Sequence, residues 1–460
     1  MSHARAVSCR WIAVLPWCLF ATALGCSGAA AEDAAPPESL QAFLALKEIA
    51  AGDRADLAAA GPWSDAKDRL LVRLLSRLPA PESLAARWRA AAEPIAPRGE
   101  PLVVADRLVR LRGRATLVAP RILPAEIGQL AGWSRYDVVR LLDERGIVAD
   151  VVVLRAPNAW PRWREIDEPA EVVGLPLTTG SGPVPVAPGG AAGWPRTPAD
   201  IVVAATGVVW HPPTMLGRLG VDYALFDAIV DDRRLEPGDT AAFWNVLAAA
   251  PRSSAADIVR AAGGPTDVLA LIDPARKWFA THRGDPVVID GVARRATRIT
   301  IDDPARQAAV GSDHYWEVVV FADTPTIKVN DRIQDRYPIV CCIATLPAGM
   351  PAGESISERV RVAGFGFKRY SYPLDGMLVA PSSGARETKG ERLSTALVIA
   401  GTLIWLRPPS PAGASAILFA VFAGILGLVA AAAFTGLWRQ RAADRRRRSA
   451  LPDRIRLPGE

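Results

Sequence analysis

The sequence predicts an α+β protein: two tandem copies of a helical segment plus five β-strands, followed by one C-terminal transmembrane helix. Three observations lead there. Similar landmarks recur in the same order in both halves of the chain, the signature of an internal repeat. Five runs rich in β-branched and aromatic residues, bounded by Gly and Pro, occur in each half, and such runs read as strands. Ser415–Trp438 carries no charge and exceeds the ~20 apolar residues a bilayer crossing needs.

In chain order, residues 1–31 read as a secretory signal peptide. Arg5 and Arg10 form a basic segment ahead of the apolar run Trp11–Leu24, and Ala29–Ala31 fits the small-residue rule for cleavage near Ala31. Cys26, at the end of Ala-Leu-Gly-Cys, is the alternative processing site, where a lipid would be attached.

Copy one spans residues 37–213, with helices in 37–95 and strands in 98–213. Asp65–Leu78 places Leu70, Leu71, Leu74, Leu75 and Leu78 on one face at helical spacing. Pro81-Glu82-Ser83 starts a second helix. Strands are expected near Leu102–Val118, Tyr136–Leu142, Ala149–Arg155, Ala170–Leu177 and Ile201–Trp210. The Pro- and Gly-rich stretch from Thr178 to Pro198 is a surface connection.

Copy two spans residues 214–412, with helices in 214–281 and strands in 283–409. Its helices are expected over Leu216–Asp232, then after Asp239 as N-cap, then in Ser253–Ala262 and Thr266–Ala280. Strands follow near Val287–Ile301, Tyr315–Ala322, Tyr337–Thr345, Arg359–Tyr370 and Ala396–Leu406.

Five landmarks support the duplication. Arg98–Val104 (RGEPLVV) matches Arg283–Ile289 (RGDPVVI), and Gly113–Thr116 (GRAT) matches Arg294–Thr297 (RRAT). The run from Arg135 (RYDVVRLLDE) matches that from Tyr315 (YWEVVVFADT), and AEVVGLPL from Ala170 matches VRVAGFGF from Val360. Finally, Pro198–Met215 matches Ser394–Pro411: β-prone residues, a Trp (Trp210, Trp405), then Pro-Pro. Asp200 and its unflanked setting make the first of these no membrane span. Its twin at Ala396–Leu406 is therefore read as a last strand, being also short for a crossing.

Five strands, the first long and the third separated from the fourth by a wider connection, resemble an OB-type barrel, which limits exposed edges by wrapping on itself. A small sandwich or an SH3-like barrel gives a similar pattern. The layout and Leu216–Asp227 (LGRLGVDYALFD) also resemble uncharacterised envelope proteins of planctomycete-type bacteria, which implies a location and no activity.

Charge sets the topology. The formal net charge is +6. Residues 439–460 hold eight Arg against three acids, and residues 1–31 hold two Arg, leaving the part between them at −1. Arg439, Arg441 and Arg445–Arg448 directly follow the apolar run, and positive charge holds the cytoplasmic side. The expected protein is thus single-pass, with residues 439–460 as a basic cytoplasmic tail and the bulk of the chain extracytoplasmic. A near-neutral ectodomain offers no basic footprint, so no nucleic-acid partner is expected.

No catalytic set is expected. His211, His282 and His314 are isolated, without the ligand spacing of a metal site, and no cofactor motif occurs. Cys341 and Cys342 are adjacent in a strand, so they point to opposite faces and read as buried hydrophobes. Asp227, Asp231, Asp232 and Asp239 lack the pattern of a calcium loop and read as a solvated helix end. Arg283-Gly284-Asp285 is answered by Arg98-Gly99-Glu100, so a shared turn explains both. The candidate binding residues are Tyr136, Tyr315, Trp316 and Tyr337, at or near strands two and three, the face OB barrels use for extended ligands. The functional expectation is a non-enzymatic envelope scaffold that binds protein or glycan partners. The alternative is a hydrolase with its site between the copies.

Overall fold

The computed structural model describes residues 40–59, 63–79, 82–95, 107–179, 194, 197–329, 332–373, 392–407 and 411–449. The expected signal peptide, Cys26, the Arg98–Val104 landmark and the end of the tail lie outside the described residues.

Four helices open the described chain: α1 (Leu40–Leu46), α2 (Ala51–Ala58), α3 (Asp65–Arg77) and α4 (Glu82–Ala91). Ser64 caps α3 by accepting from Lys67 N at 3.4 Å, which satisfies one of the free donors of its first turn. Leu71, Leu74, Leu75 and Leu78 are buried, as their spacing predicts, with Leu70 packed at the margin.

The strands of the first half are β1 (Glu93–Pro94), β2 (Val109–Ile122), β3 (Arg135–Asp143), β4 (Val148–Val153), β5 (Glu165–Thr179), β6 (Ile201–Ala205) and β7 (Val209–Trp210), with helix α5 (Ala125–Ala131) between β2 and β3. β2 pairs with β3, β3 with β4, β4 with β6, β6 with β5, and β5 again with β2. The hydrogen-bonded path therefore returns to its first strand.

A second group of helices comes next: α6 (Met215–Arg218), α7 (Thr240–Ala249), α8 (Ala255–Ala262), α9 (Val268–Ile272) and α10 (Trp278–His282). The second sheet contains β8 (Pro286–Thr300), β9 (His314–Val329), β10 (Arg332–Ile343), β11 (Glu358–Pro373), β12 (Arg392–Ala400) and β13 (Leu403–Trp405), with α11 (Pro304–Val310) between β8 and β9. Its pairings run β8–β9–β10–β12–β11 and back to β8. The chain is thus mixed α and β, with a seven-stranded and a six-stranded sheet. Last comes α12 (Pro411–Ser449), whose Phe419–Ser449 portion is long and apolar enough to cross a membrane.

Both faces of each sheet are buried. Val139, Val151 and Val203 fill one core with Leu111 and Leu141. Their neighbours Val138, Val152 and Val202 meet Leu71 and Leu75 of α3. Burial on two faces explains why Ile201–Ala205 reads as an unbroken apolar run rather than an alternation. In the second sheet Cys341 faces one core and Cys342 the other, both unbonded.

Several expectations need correction. Ala396–Leu406 is strand, as expected, but Gly401 and Thr402 divide it into β12 and β13. Gly401 lies so close to the α7 end that a Cβ would meet Pro251 Cα at 2.7 Å. Leu216–Asp232 is not one helix: Gly220 at φ +82 ends α6, and Asp222 caps a short 3-10 turn, Tyr223–Ala228. Asp239 precedes α7 without capping it; its carboxylate bonds Glu236 N and Lys368 Nζ instead.

The match of GRAT with RRAT also slips. Gly113 faces Asp143 and Ala170, and Gly291 faces Ala322 and Val360. The residue paired as Gly113 is paired is therefore Gly291, three before Arg294. β9 and β10 outrun their expected ends as a polar ribbon in which Asp323 pairs with Arg336 and Val329 with Arg332. Lastly, α12 does not stop at Trp438 but continues to Ser449. The residues past Trp438 include no Gly or Pro until Pro452, and their arginines complement the helix C-terminus.

Candidate functional site

The four candidate aromatics do not converge. Tyr136 on β3 is fully buried, and its hydroxyl donates to Asp68 Oδ1 at 2.7 Å. Asp68 also accepts from Trp63 Nε1 at 2.8 Å and from Arg121 at 2.7 Å. This network fastens α3 to the sheet. Burial, and then the charge of Asp68, push the Tyr136 hydroxyl well above its ordinary pKa. Tyr315 on β9 meets Phe243 and Trp244 edge-on at 5.6 and 5.8 Å. Tyr337 on β10 is buried and donates to Ser394 O at 2.6 Å; burial raises its pKa to about 12. Trp316 is half-buried against His314, 5.7 Å between rings. Tyr136 and Tyr315 hold similar places in their sheets, each opposite the eighth residue past a strand glycine: Arg121 past Gly113, or Ile299 past Gly291.

The residues that do converge lie where the first sheet meets the second group of helices. A row of rings crosses this junction: Trp160, Trp210, Tyr223, Phe226, Phe367, Phe243 and Tyr315. Successive centroids are 4.8 to 6.5 Å apart, the range of favourable aromatic contact. Gly284, at φ +84, lets Tyr223 and Phe226 in; a Cβ there would meet both at 2.9 Å. Asp222 accepts from Trp210 N and Ala224 N at 2.9 and 3.0 Å, and burial pushes its carboxyl pKa up. Asn158 N donates to Asp227 Oδ2 at 2.7 Å across the same seam. Burial raises the Asp227 carboxyl too.

Beside Trp210 is a cleft of about 200 Å³ lined in part by Arg114, Asp167, Glu168, His211 and Arg218. It is smaller than the ~300 Å³ at which ligand pockets begin. Its polar groups are engaged with the protein. Arg114 Nε donates to Asp167 Oδ1 at 2.5 Å, which lowers the Asp167 pKa. Glu168 accepts from Trp210 Nε1 at 2.9 Å. His211 Nδ1–H donates to Val221 O at 3.0 Å, and Arg218 donates to Pro213 O at 2.7 Å.

The acidic cluster is not a solvated helix end. Asp231 pairs with Arg283 at 3.0 Å, Asp239 with Lys368 at 2.7 Å, and Asp232 with Arg369. Each ties the segment before α7 to β11 or to the chain entering β8. Arg283 also donates to Phe367 O at 2.7 Å, so the arginine of Arg-Gly-Asp is spent inside the fold. Burial raises the thiol pKa of Cys341 and Cys342. His282 stacks on Trp278 at 5.2 Å, and His314 Nδ1 lies 2.6 Å from Asp313 Oδ1. Among the described residues no group of three or more His, Cys, Asp or Glu is placed to hold a metal ion. One signal for the junction was present in the sequence: both Trp-containing segments end in Pro-Pro, and the first leads straight into Tyr223 and Phe226.

No known family model matches this chain, and no curated protein is significantly similar to it.

Proposed function

We propose that the chain is a single-pass membrane protein whose extracytoplasmic part is a duplicated, non-enzymatic scaffold. The observation that carries this reading is the row of rings from Trp160 to Tyr315. An enzyme with its site between the copies needs a roomy cleft with unengaged polar groups there; this junction is filled by rings, and the cleft of about 200 Å³ beside it has its polar side chains bonded within the protein. Two units joined in this way present fixed outer surfaces, which suits binding of an envelope protein or glycan.

The duplication, with each sheet an OB-like barrel, rests on matched details. Both sheets close in the same order. Both first strands shift register at one place, between Ala115 and Leu117 and between Ala293 and Arg295. Both fourth strands do so between Pro176 and Thr178 and between Gly366 and Lys368. Gly174 and Gly364 lie against β6 and β12, where a Cβ would meet Ala204 O or Ile399 O at 2.6 Å. The proposed domains are residues 37–213 and 214–412.

The orientation rests on the arginines after Trp438 and the positive-inside bias. An impermeant thiol reagent applied to intact cells should reach a cysteine placed in residues 183–195 and miss one placed after Arg448. Labelling of the second site would reverse the topology. The scaffold reading is tested by gentle solubilisation and co-purification. Wild type and His211→Ala should retain the same partners. Turnover of ester, glycoside or peptide reporters that is lost in His211→Ala would install the enzyme reading instead.

A further inference from the structure

The connection after β4 and the connection after β10 are built on the same backbone hydrogen bonds. In the first, Trp160 N donates to Pro157 O at 3.1 Å and Trp163 N to Val118 O at 2.9 Å. In the second, Met350 N donates to Pro347 O at 3.1 Å and Gly353 N to Ala296 O at 2.9 Å. Trp160 and Met350 are the buried plugs, 2% and 6% exposed. Trp163 and Gly353 both have positive φ, 61° and 139°.

On this shared frame the two loops carry opposite chemistry. Asn158, Arg162, Trp163 and Arg164 occupy the first where Ala348, Ala352, Gly353 and Glu354 occupy the second. From Ala344 to Gly353 there is no charged side chain. Ala348, Gly349, Pro351 and Ala352 are all exposed.

In both units this loop lies against the chain where it leaves the sheet. In the first, Trp160 meets Trp210 at 5.8 Å, and Asn158 bonds Asp227, further along the departing chain. In the second, the Arg407 guanidinium lies 4.4 Å over the Trp405 ring and donates to Ala348 O at 3.1 Å. From there the chain runs into α12. Four Cα steps separate Arg407 from Pro411, a reach of at most about 14 Å. One further turn, about 6 Å, leads to the apolar run at Ser415.

We infer that Leu346–Gly353 is a lipid-contacting surface that seats the second unit on the outer headgroup layer, with Trp405 and Arg407 as its interfacial anchors. The inference rests on reading α12 as a membrane span. Three facts support it: the short tether, the absence of charge from Leu346–Gly353 where its counterpart carries Arg162, and a Trp–Arg pair, residue types that settle at membrane interfaces. The strand behind the loop stays in water: Arg359, whose carbonyl accepts from Leu406 N, is paired with Asp323 at 3.1 Å.

The test uses the full chain in bilayers containing a headgroup-nitroxide lipid, with Cys9, Cys18 and Cys26 replaced by Ser. An environment-sensitive fluorophore is attached at Ala348→Cys, Asn158→Cys or Leu428→Cys; Cys341 and Cys342 are buried and do not compete. The Ala348 probe should be quenched several-fold more than the Asn158 probe, and Ala352→Glu should remove that excess while leaving a Leu428 probe unchanged. Equal, weak quenching at Ala348 and Asn158 with Leu428 in lipid would overturn the inference and leave the span standing. A water-exposed Leu428 probe would overturn both.

Discussion

The indole Nε1 of Trp405 donates to Glu358 Oε2 at 2.8 Å. Trp210 makes the same bond to Glu168 at 2.9 Å. Each Trp faces the residue two places after its Glu, Val360 or Ala170. Trp405→Phe keeps the ring and removes the donor, leaving a carboxylate that has lost its partner. A loss of about 1–2 kcal/mol is expected for a bond to a charged acceptor that is partly in water. Urea unfolding measures it; an unchanged midpoint would show that the bond contributes nothing.

Asp68 is expected to be the most sensitive acid of the first unit. It is fully buried and holds Arg121, Tyr136 and Trp63. Asp68→Ala takes the carboxylate away from a buried guanidinium and should destabilise by about 3–5 kcal/mol. The double change Asp68→Leu with Arg121→Met should cost less than Asp68→Ala alone, because it removes both charges together. If the double variant is the weaker of the two, the buried pair stabilises the fold beyond what apolar packing can replace.

Gly291 is pressed against β9: a Cβ would meet Phe321 O at 2.4 Å. Gly291→Ala should therefore force the strands apart at about 1–3 kcal/mol, the usual range for overpacking. Gly311→Ala meets no neighbour but sits at φ +78, so only backbone strain of about 1–2 kcal/mol opposes it. Thermal unfolding of the two variants separates steric from conformational cost.

Two aspartates should shift stability with pH in opposite senses. Burial raises Asp222, so the fold favours its neutral form. Its stabilising contribution is full below the ordinary aspartate pKa, about 3.9, and is lost as pH climbs through the raised value. Asp222→Asn keeps an oxygen for Trp210 N and Ala224 N, so it should match wild type in acid and exceed it at neutral pH. Arg369 holds Asp232 low, so that contribution is present above the ordinary value and is lost as pH falls through the lowered one. Asp232→Asn should weaken the protein at neutral pH, with the gap closing in acid. Unfolding midpoints across a pH series report both; parallel curves for all three proteins would sink the assignment.

Most strands were legible because two-sided burial writes itself into composition, as in Ile201–Ala205 and Val148–Val153. The β9–β10 ribbon was not, because Asp323–Arg336 is polar and contains Pro325, so no apolar pattern marks it. Its Val-Asn-Asp-Arg centre at Val329–Arg332 carries residue types that hairpins favour. The junction was only half legible. Trp210 and its twin stood out, whereas Asp231 with Arg283 and Asp239 with Lys368 join residues 52 and 129 apart in sequence. Such pairs leave no local pattern, and an acidic run then looks like solvated surface. The four aromatics chosen as binding candidates sit on strands as expected. Their spacing could not say that Tyr136 turns toward α3 while Tyr337 turns inward.

The contact between Trp160 and Trp210, 5.8 Å apart and inclined at 71°, also gives the junction an optical signature. Two indole transitions this close and this oblique mix, and their mixing is chiral. The pair should imprint a near-ultraviolet circular-dichroism couplet that a lone indole lacks. Both indoles lie within residues 37–213, so the couplet reports whether the loop after β4 stays seated on Trp210, the ring that Tyr223 meets from the other side, and the molecule carries its own label-free gauge of that contact.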